Sequence, residues 1–196
     1  MQNTVEGMPA GYRRFWGAST VSALGDGVRV AALPLLAAAV THDPAAIAVV
    51  TAAGFLAWPV LGLLGGALSD RLDRRRSMWM VNATRALMLG VLSLVLVSFG
   101  SLPIAALAAL AFALGAAETV YDNAAIGFLP RLLPPDALAT GNARLFTSQL
   151  TATQLIGPPL GGLLFAAGAI IPLLLDGLTF AVSAALIATL RCTQAS

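Results

Sequence analysis

The stretch that decides the fold is Gly62-Leu63-Leu64-Gly65-Gly66-Ala67-Leu68-Ser69-Asp70-Arg71-Leu72-Asp73-Arg74-Arg75-Arg76. A long uncharged run ends here in six charges within seven positions: Asp70, Arg71, Asp73, Arg74, Arg75 and Arg76. Charges at that density are too costly in hydrocarbon, and the run before them is too apolar for water. The stretch is therefore a membrane boundary, and its four arginines assign that side to the cytoplasm.

Composition points the same way. The chain has 196 residues, 58% hydrophobic and 10% charged, against about 25% charged residues in soluble domains. All eleven cations are arginine, and the formal net charge is +2. The arginines cluster at helix ends rather than on one soluble face, which argues against a nucleic-acid partner. The single cysteine, Cys192, excludes an internal disulfide. Arg13 and Arg14 precede an apolar stretch that is too long for a signal peptide and is interrupted by Asp26 and Arg29, so a retained first helix is expected. The sequence shows no His/Cys/Asp ligand cluster, nucleophile elbow or phosphate loop, so neither an enzyme nor a bound cofactor or metal is expected. His42, the only histidine, falls in a turn.

A spanning helix needs about twenty mostly apolar residues. That ruler predicts an all-α membrane protein with six transmembrane helices at 15–40, 45–68, 77–99, 103–123, 145–167 and 170–190. Residues 1–14 form a cytoplasmic segment, and 192–196 a cytoplasmic end that begins a linker. A loop at 130–136 leads into a short interfacial helix ending near Arg144. With the N-terminus inside, Arg13, Arg14, Arg71, Arg74, Arg75, Arg76, Arg131, Arg144 and Arg191 all lie on the cytoplasmic side, and the outer turns hold no arginine. The helices pair as two sets of three. Helices two and five share Pro59/Gly62 and Pro158/Gly161, and helices one and four share Asp26/Pro34 and Asp122/Pro130. These matches fit two inverted three-helix repeats.

A few polar residues fall inside the spans. Asp26 and Arg29 are neighbours on one face of helix one. They form either a cavity-lining acid that takes a proton or a cationic substrate, tuned by the arginine, or a self-neutralised pair that locks packing. Glu118 and Asp122 stand one turn apart on helix four, flanked by Tyr121 and Asn123. They build a substrate or proton path, or else helix four ends early and they pair with Arg131 or Arg85. Arg85 either snorkels to the interface or pairs with Asp70 or a helix-four acid. Trp58 lines a cavity or packs against neighbours, while Trp16 and Trp79 read as interfacial belt residues.

Two motifs carry a resemblance. Gly66, Leu68, Asp70, Arg71, Arg74 and Arg75 match the pattern G-x-L-x-D-R-x-G-R-R between the second and third helices of the major facilitator superfamily, with Asp73 at the second glycine. Gly157, Pro158, Gly161 and Gly162 match the G-P-x-x-G-G antiporter signature of its exporters, with Thr153 one turn earlier where a small residue is usual. With Asp26-Gly27, Leu33-Pro34 and Asp122-Asn123 in order, the chain resembles the N-terminal six-helix half of such an exporter. It is most similar to the subgroup that expels siderophores, macrolides and other hydrophobic compounds.

The resemblance implies half of a major-facilitator fold in the bacterial inner membrane, working by alternating access. Substrate binds between two halves, export is coupled to proton entry, and Asp70 with its arginines latches the cytoplasmic gate. The partners implied are lipid, protons, a small hydrophobic substrate, and a C-terminal six-helix half or a second copy. Because the family uses twelve helices, this chain is expected not to work alone. The competing reading is a non-transporting membrane partner, or a truncated remnant, whose intramembrane charges are structural.

Overall fold

The computed structural model describes residues 8–69 and 73–190. Among these it is helical throughout, with no strand. Helix α1 runs Ala10–Val40, α2 Pro44–Ser69, α3 Arg74–Phe99 and α4 Ile104–Phe128, the last continued by a tight turn over Leu129–Arg131. Helix α5 covers Leu138–Ala167 with a π-helical stretch at Thr151–Ile156, and α6 covers Ile171–Ala188. Five of the six are long and apolar enough to cross a membrane over their described residues, and α2 is apolar over Pro44–Val60, the part whose side chains are described.

Local chemistry sets the ends. Asp43 accepts the amide of Ala45 at 3.0 Å, with Pro44 first in α2. Asp73 caps α3 by accepting the amide of Arg76 at 3.1 Å. Its φ is −62°, so the glycine usual at that motif position is not required for the turn taken here. Gly100 closes α3 at φ 77°, in the left-handed region.

Two boundaries differ from expectation. Helix α4 does not fade at position 123 but continues to Phe128, because Glu118, Asp122 and Asn123 face a cleft while Thr119, Tyr121, Ala124, Ala125 and Phe128 are buried against the bundle. No separate interfacial helix precedes α5: Leu138 begins a helix that enters the membrane span without a break.

The packing has an internal symmetry. α2 packs along α4 as α5 packs along α1. α3 packs on α4 as α6 packs on α1, and α3 and α6 lie against each other. Exchanging the first three helices for the last three leaves this pattern unchanged. An odd number of helices per set inverts the second set relative to the first.

Two apolar cores result. The one at the arginine-rich end contains Tyr12, Phe15, Met78, Phe128 and Ile187, with the Phe15 and Phe128 rings edge-to-face at 5.7 Å. The other contains Leu33, Leu36, Leu89, Leu107 and Phe180.

Candidate substrate cleft and buried ion pairs

Between the two cores lies a layer of charge drawn from four helices. From α1, Arg29 donates to Asp26 at 2.8 Å, one turn away, and to Glu118 of α4 at 2.7 Å. From α3, Arg85 donates to the same Asp26 oxygen and stands 3.9 Å from Glu118. Its guanidinium lies 3.8 Å from the centre of the Phe180 ring on α6, a cation–π contact inside the bundle. Arg85 and Asp176 are fully buried, at 0% exposure. Burying a charge is tolerable only where it is paired and hydrogen-bonded; Asp26 pairs with both arginines, while Nε of each and Nη1 of Arg85 have no hydrogen-bond partner among the described residues.

Arg85 thus does not snorkel, and Asp70, one of its expected partners, lies outside the described residues. Its partners are Asp26 and, at 3.9 Å, the helix-four acid Glu118, one of the alternatives read from the sequence; α3 packs on α6 and on α4, and the side chain turns inward.

Sequence reasoning passed over Asp176. It sits on α6 with its Oδ2 3.8 Å from Nε of Arg29, and neither of its carboxylate oxygens has a hydrogen-bond partner among the described residues. The signal was available: an acid inside an apolar span, the same feature that singled out Asp26.

Among the described residues, the ion-pair layer opens toward a cleft through Glu118. The Glu118 side chain is 36% exposed and faces a cleft walled by α1, α2, α4 and α5, while α3 and α6 lack lining residues there. The cleft has two connected parts, about 300 Å³ and about 560 Å³. Both parts are lined by Trp58, Glu118, Thr119, Asp122, Thr153 and Gln154. Asp122 is exposed there, Asn123 is half-buried in the larger part, and Asp26 borders that part from beneath. Trp58, 71% exposed, points its surface into the cleft rather than into packing.

The glycines of α5 divide by role. Gly157 lies against Gly27 of α1, and a Cβ on Gly27 would stand 2.9 Å from the Gly157 Cα. Gly161 lies against the Val28 backbone, where a Cβ would come within 3.1 Å of the Val28 Cα. Small residues let helix backbones meet this closely. Gly162, by contrast, has open space beside it. Pro158 lines the cleft next to the π-helical stretch. Lacking an amide hydrogen, proline cannot complete a regular helical ladder, and a re-registered turn is a usual way to absorb that.

At the arginine-rich end, Arg74 donates to the carbonyl of Gly127 and Arg75 to that of Ala188, near the ends of α4 and α6. Helix ends leave carbonyls unpaired and slightly negative, so arginine suits them on both counts. Gly66 lies within α2, while Asp70 and Arg71 fall outside the described residues.

Six apolar helices with a twofold internal pattern, a charged layer between two cores and a cleft on one face fit one six-helix half of a major-facilitator membrane transporter. Residues 9–196 match the family described as transmembrane secretion effectors, and the chain belongs to that family of the major facilitator superfamily. No protein of curated function matches it. The family makes the chain a multi-pass membrane transporter rather than an enzyme.

Proposed function

We propose that the chain is one half of an exporter of small hydrophobic compounds, of drug or siderophore type, coupled to proton entry. It would act in the bacterial inner membrane with its N-terminus in the cytoplasm, facing a C-terminal six-helix half or a second copy across the cleft. One observation carries this reading: of the groups in the buried ion-pair layer, Glu118 alone is substantially open to the cleft, and it shares Arg29 with the closed Asp26. A proton or substrate that takes Glu118 from Arg29 changes the partners of a residue inside the bundle. Altered pairing on α1 and α4 is then felt where α1 meets α5, at the Gly27 and Gly157 crossing. Such a linkage is what alternating access needs, because binding must favour one arrangement of the helices over another.

The test is efflux of a fluorescent hydrophobic compound from cells that produce the full protein. Wild type is expected to lower accumulation, an uncoupler to abolish that effect, and Asp26→Asn to abolish it while the protein remains in the membrane. The near-complete burial of Asp26 and Arg85 favours a second reading, in which the layer only locks packing. That reading prevails if Asp26→Asn lowers thermal stability and leaves efflux untouched.

A further inference from the structure

The starts of α1 and α5 enclose a second cavity, a crevice of about 740 Å³ at the arginine-rich end. It shares no lining residue with the cleft. Helical spacing explains the separation: Asn142, Phe146 and Gln149 put one face of α5 into the cleft, while Thr140, Ala143, Arg144 and Thr147 put another into the crevice. The lining of α5 runs from Ala139 to Ser148, about 13 Å at the helical rise. Both walls are fixed to each other. The Tyr12 hydroxyl donates to the Gly141 carbonyl at 2.8 Å, and one level further in the Thr20 hydroxyl donates to Ser148 Oγ at 3.0 Å. A ligand therefore meets a shape that needs little ordering. On the α5 wall, Ala139, Thr140, Ala143 and Thr147 are small and exposed, which keeps the space open.

The chemistry of the crevice is two-sided. Arg144 is the one charged residue of the lining, and no carboxylate stands there among the described residues. Asp136 lies in the turn before α5, outside the lining. Arg144 keeps a contact of its own, and the five donors of a guanidinium allow it a second partner. Arg13 and Arg14, both exposed, follow Tyr12 on α1 and add to the positive field at this end. The opposite wall carries the indole of Trp16, whose Nε1 is buried with no hydrogen-bond partner among the described residues. Donors for an anion thus stand beside aromatic and methyl surface, in a groove that runs along a membrane-spanning helix pair. That combination suits a phosphate joined to a hydrocarbon chain.

We propose that this crevice seats an acidic glycerophospholipid from the leaflet at the arginine-rich end, with its phosphate on Arg144 and Thr140 and an acyl chain against Trp16 and Thr147. Arginine without a lining acid selects for net negative charge, because a zwitterionic headgroup would bring its own ammonium to a wall that offers no carboxylate. The occupant is a lipid rather than free phosphate, because phosphate alone would leave the indole and methyl surface of the crevice uncovered. A lipid held there would join α1 to α5 at the end opposite their glycine crossing. No residue of the cleft takes part, so the site stands apart from the export reading.

The experiment reads Trp16 itself. The full-length protein, with its other tryptophans replaced by phenylalanine, is reconstituted in phosphatidylcholine bilayers. Phosphatidylglycerol or phosphatidylcholine brominated on one acyl chain is then added in small mole fractions, and quenching of Trp16 fluorescence is followed. Brominated phosphatidylglycerol is expected to reach half-quenching at about fivefold lower mole fraction than brominated phosphatidylcholine. Arg144→Gln should bring the two lipids within about twofold of each other, and Arg144→Lys should keep most of the preference. Ala143→Leu, at an exposed position, should fill the crevice and remove the preference while leaving every charge in place. Equal quenching by the two lipids overturns the proposal. So does a preference that survives both Arg144→Gln and Ala143→Leu, which would mark a diffuse attraction to the arginine-rich end. Excess inorganic phosphate at constant ionic strength should leave the preference intact, and its loss would mean that the crevice binds phosphate alone, which overturns the lipid assignment. None of these readings involves transport: lipid selectivity without efflux sinks export alone, and efflux without lipid selectivity sinks this inference alone.

Discussion

Arg85 has the least freedom of any charged residue in the bundle. It is fully buried, it donates to Asp26, and its flat guanidinium rests on Phe180. Removing one member of a buried pair strands the other, at a cost of about 3–5 kcal/mol. Arg85→Ala is therefore expected to be strongly destabilising. Adding Asp26→Asn should restore part of the loss, because Arg29, left as the one arginine of the layer among the described residues, then faces one buried acid fewer. Thermal unfolding in detergent of the two single variants and the double variant closes the cycle. Additive losses would show that Arg85 and Asp26 do not support each other. The residue scale is also where sequence reading is weakest. The Asp26–Arg29 pair was legible because helical spacing alone brings positions three apart together. The Arg85–Asp26 pair was not, because it needs α3, α6 and α1 assembled first. Nor does spacing reveal that Phe180, one turn beyond Asp176, offers its ring to Arg85.

At the scale of elements, the α1–α5 crossing is the tightest feature of the motif in α5. A Cβ on Gly27 would stand 2.7 Å from the Thr153 carbonyl oxygen and 2.8 Å from that of Ala152. Backbone atoms cannot rotate aside as a side chain would. Gly27→Ala must push α1 and α5 apart, with an expected loss of about 1–3 kcal/mol. Gly162→Ala meets nothing within 4 Å and is expected to be neutral, although it belongs to the same signature. Heat-induced aggregation of the two variants in detergent separates them, and equal melting would show that the crossing is looser than drawn. Spans were readable from apolar run length, because the membrane imposes that length on the sequence. Two boundaries were not. The polar residues near position 120 resemble a helix end when counted along the chain, yet Glu118, Asp122 and Asn123 share the cleft face of a helix that continues to Phe128. The start of α5 was hidden for the converse reason: Asn142, Arg144 and Gln149 make its first turns polar enough to look interfacial.

For the whole molecule, charge sorts by end. Arg74 bonds a carbonyl near the end of α4, Arg75 bonds one near the end of α6, and the Tyr12 hydroxyl donates to the Gly141 carbonyl at 2.8 Å. These bonds bring the beginnings of α1, α3 and α5 and the ends of α4 and α6 to one side. Arg13, Arg14, Arg74, Arg75, Arg76, Arg131 and Arg144 lie in those segments, and no arginine occurs in the opposite turns at 41–43, 100–103 and 168–170. The internal symmetry explains how this happens with two inverted repeats. Each repeat has an odd number of helices, so the repeats enter from opposite sides, and arginine must stand at different places within each to reach the same face. In the first repeat it gathers at the starts of α1 and α3. In the second it gathers around the α4–α5 connection. The proposed orientation rests on the preference of short arginine-bearing loops for the cytoplasm. With Cys192 replaced by serine, Ser101→Cys is expected to react with a membrane-impermeant maleimide in intact cells. Asp136→Cys should react only after permeabilisation. Both positions are exposed at opposite ends of the bundle, so the labels need no change of fold to reach them. The reverse pattern would place the arginines outside, against the strongest topological signal the chain carries. Labelling of both positions in intact cells would mean that arginine sorting alone does not fix the insertion of this bundle.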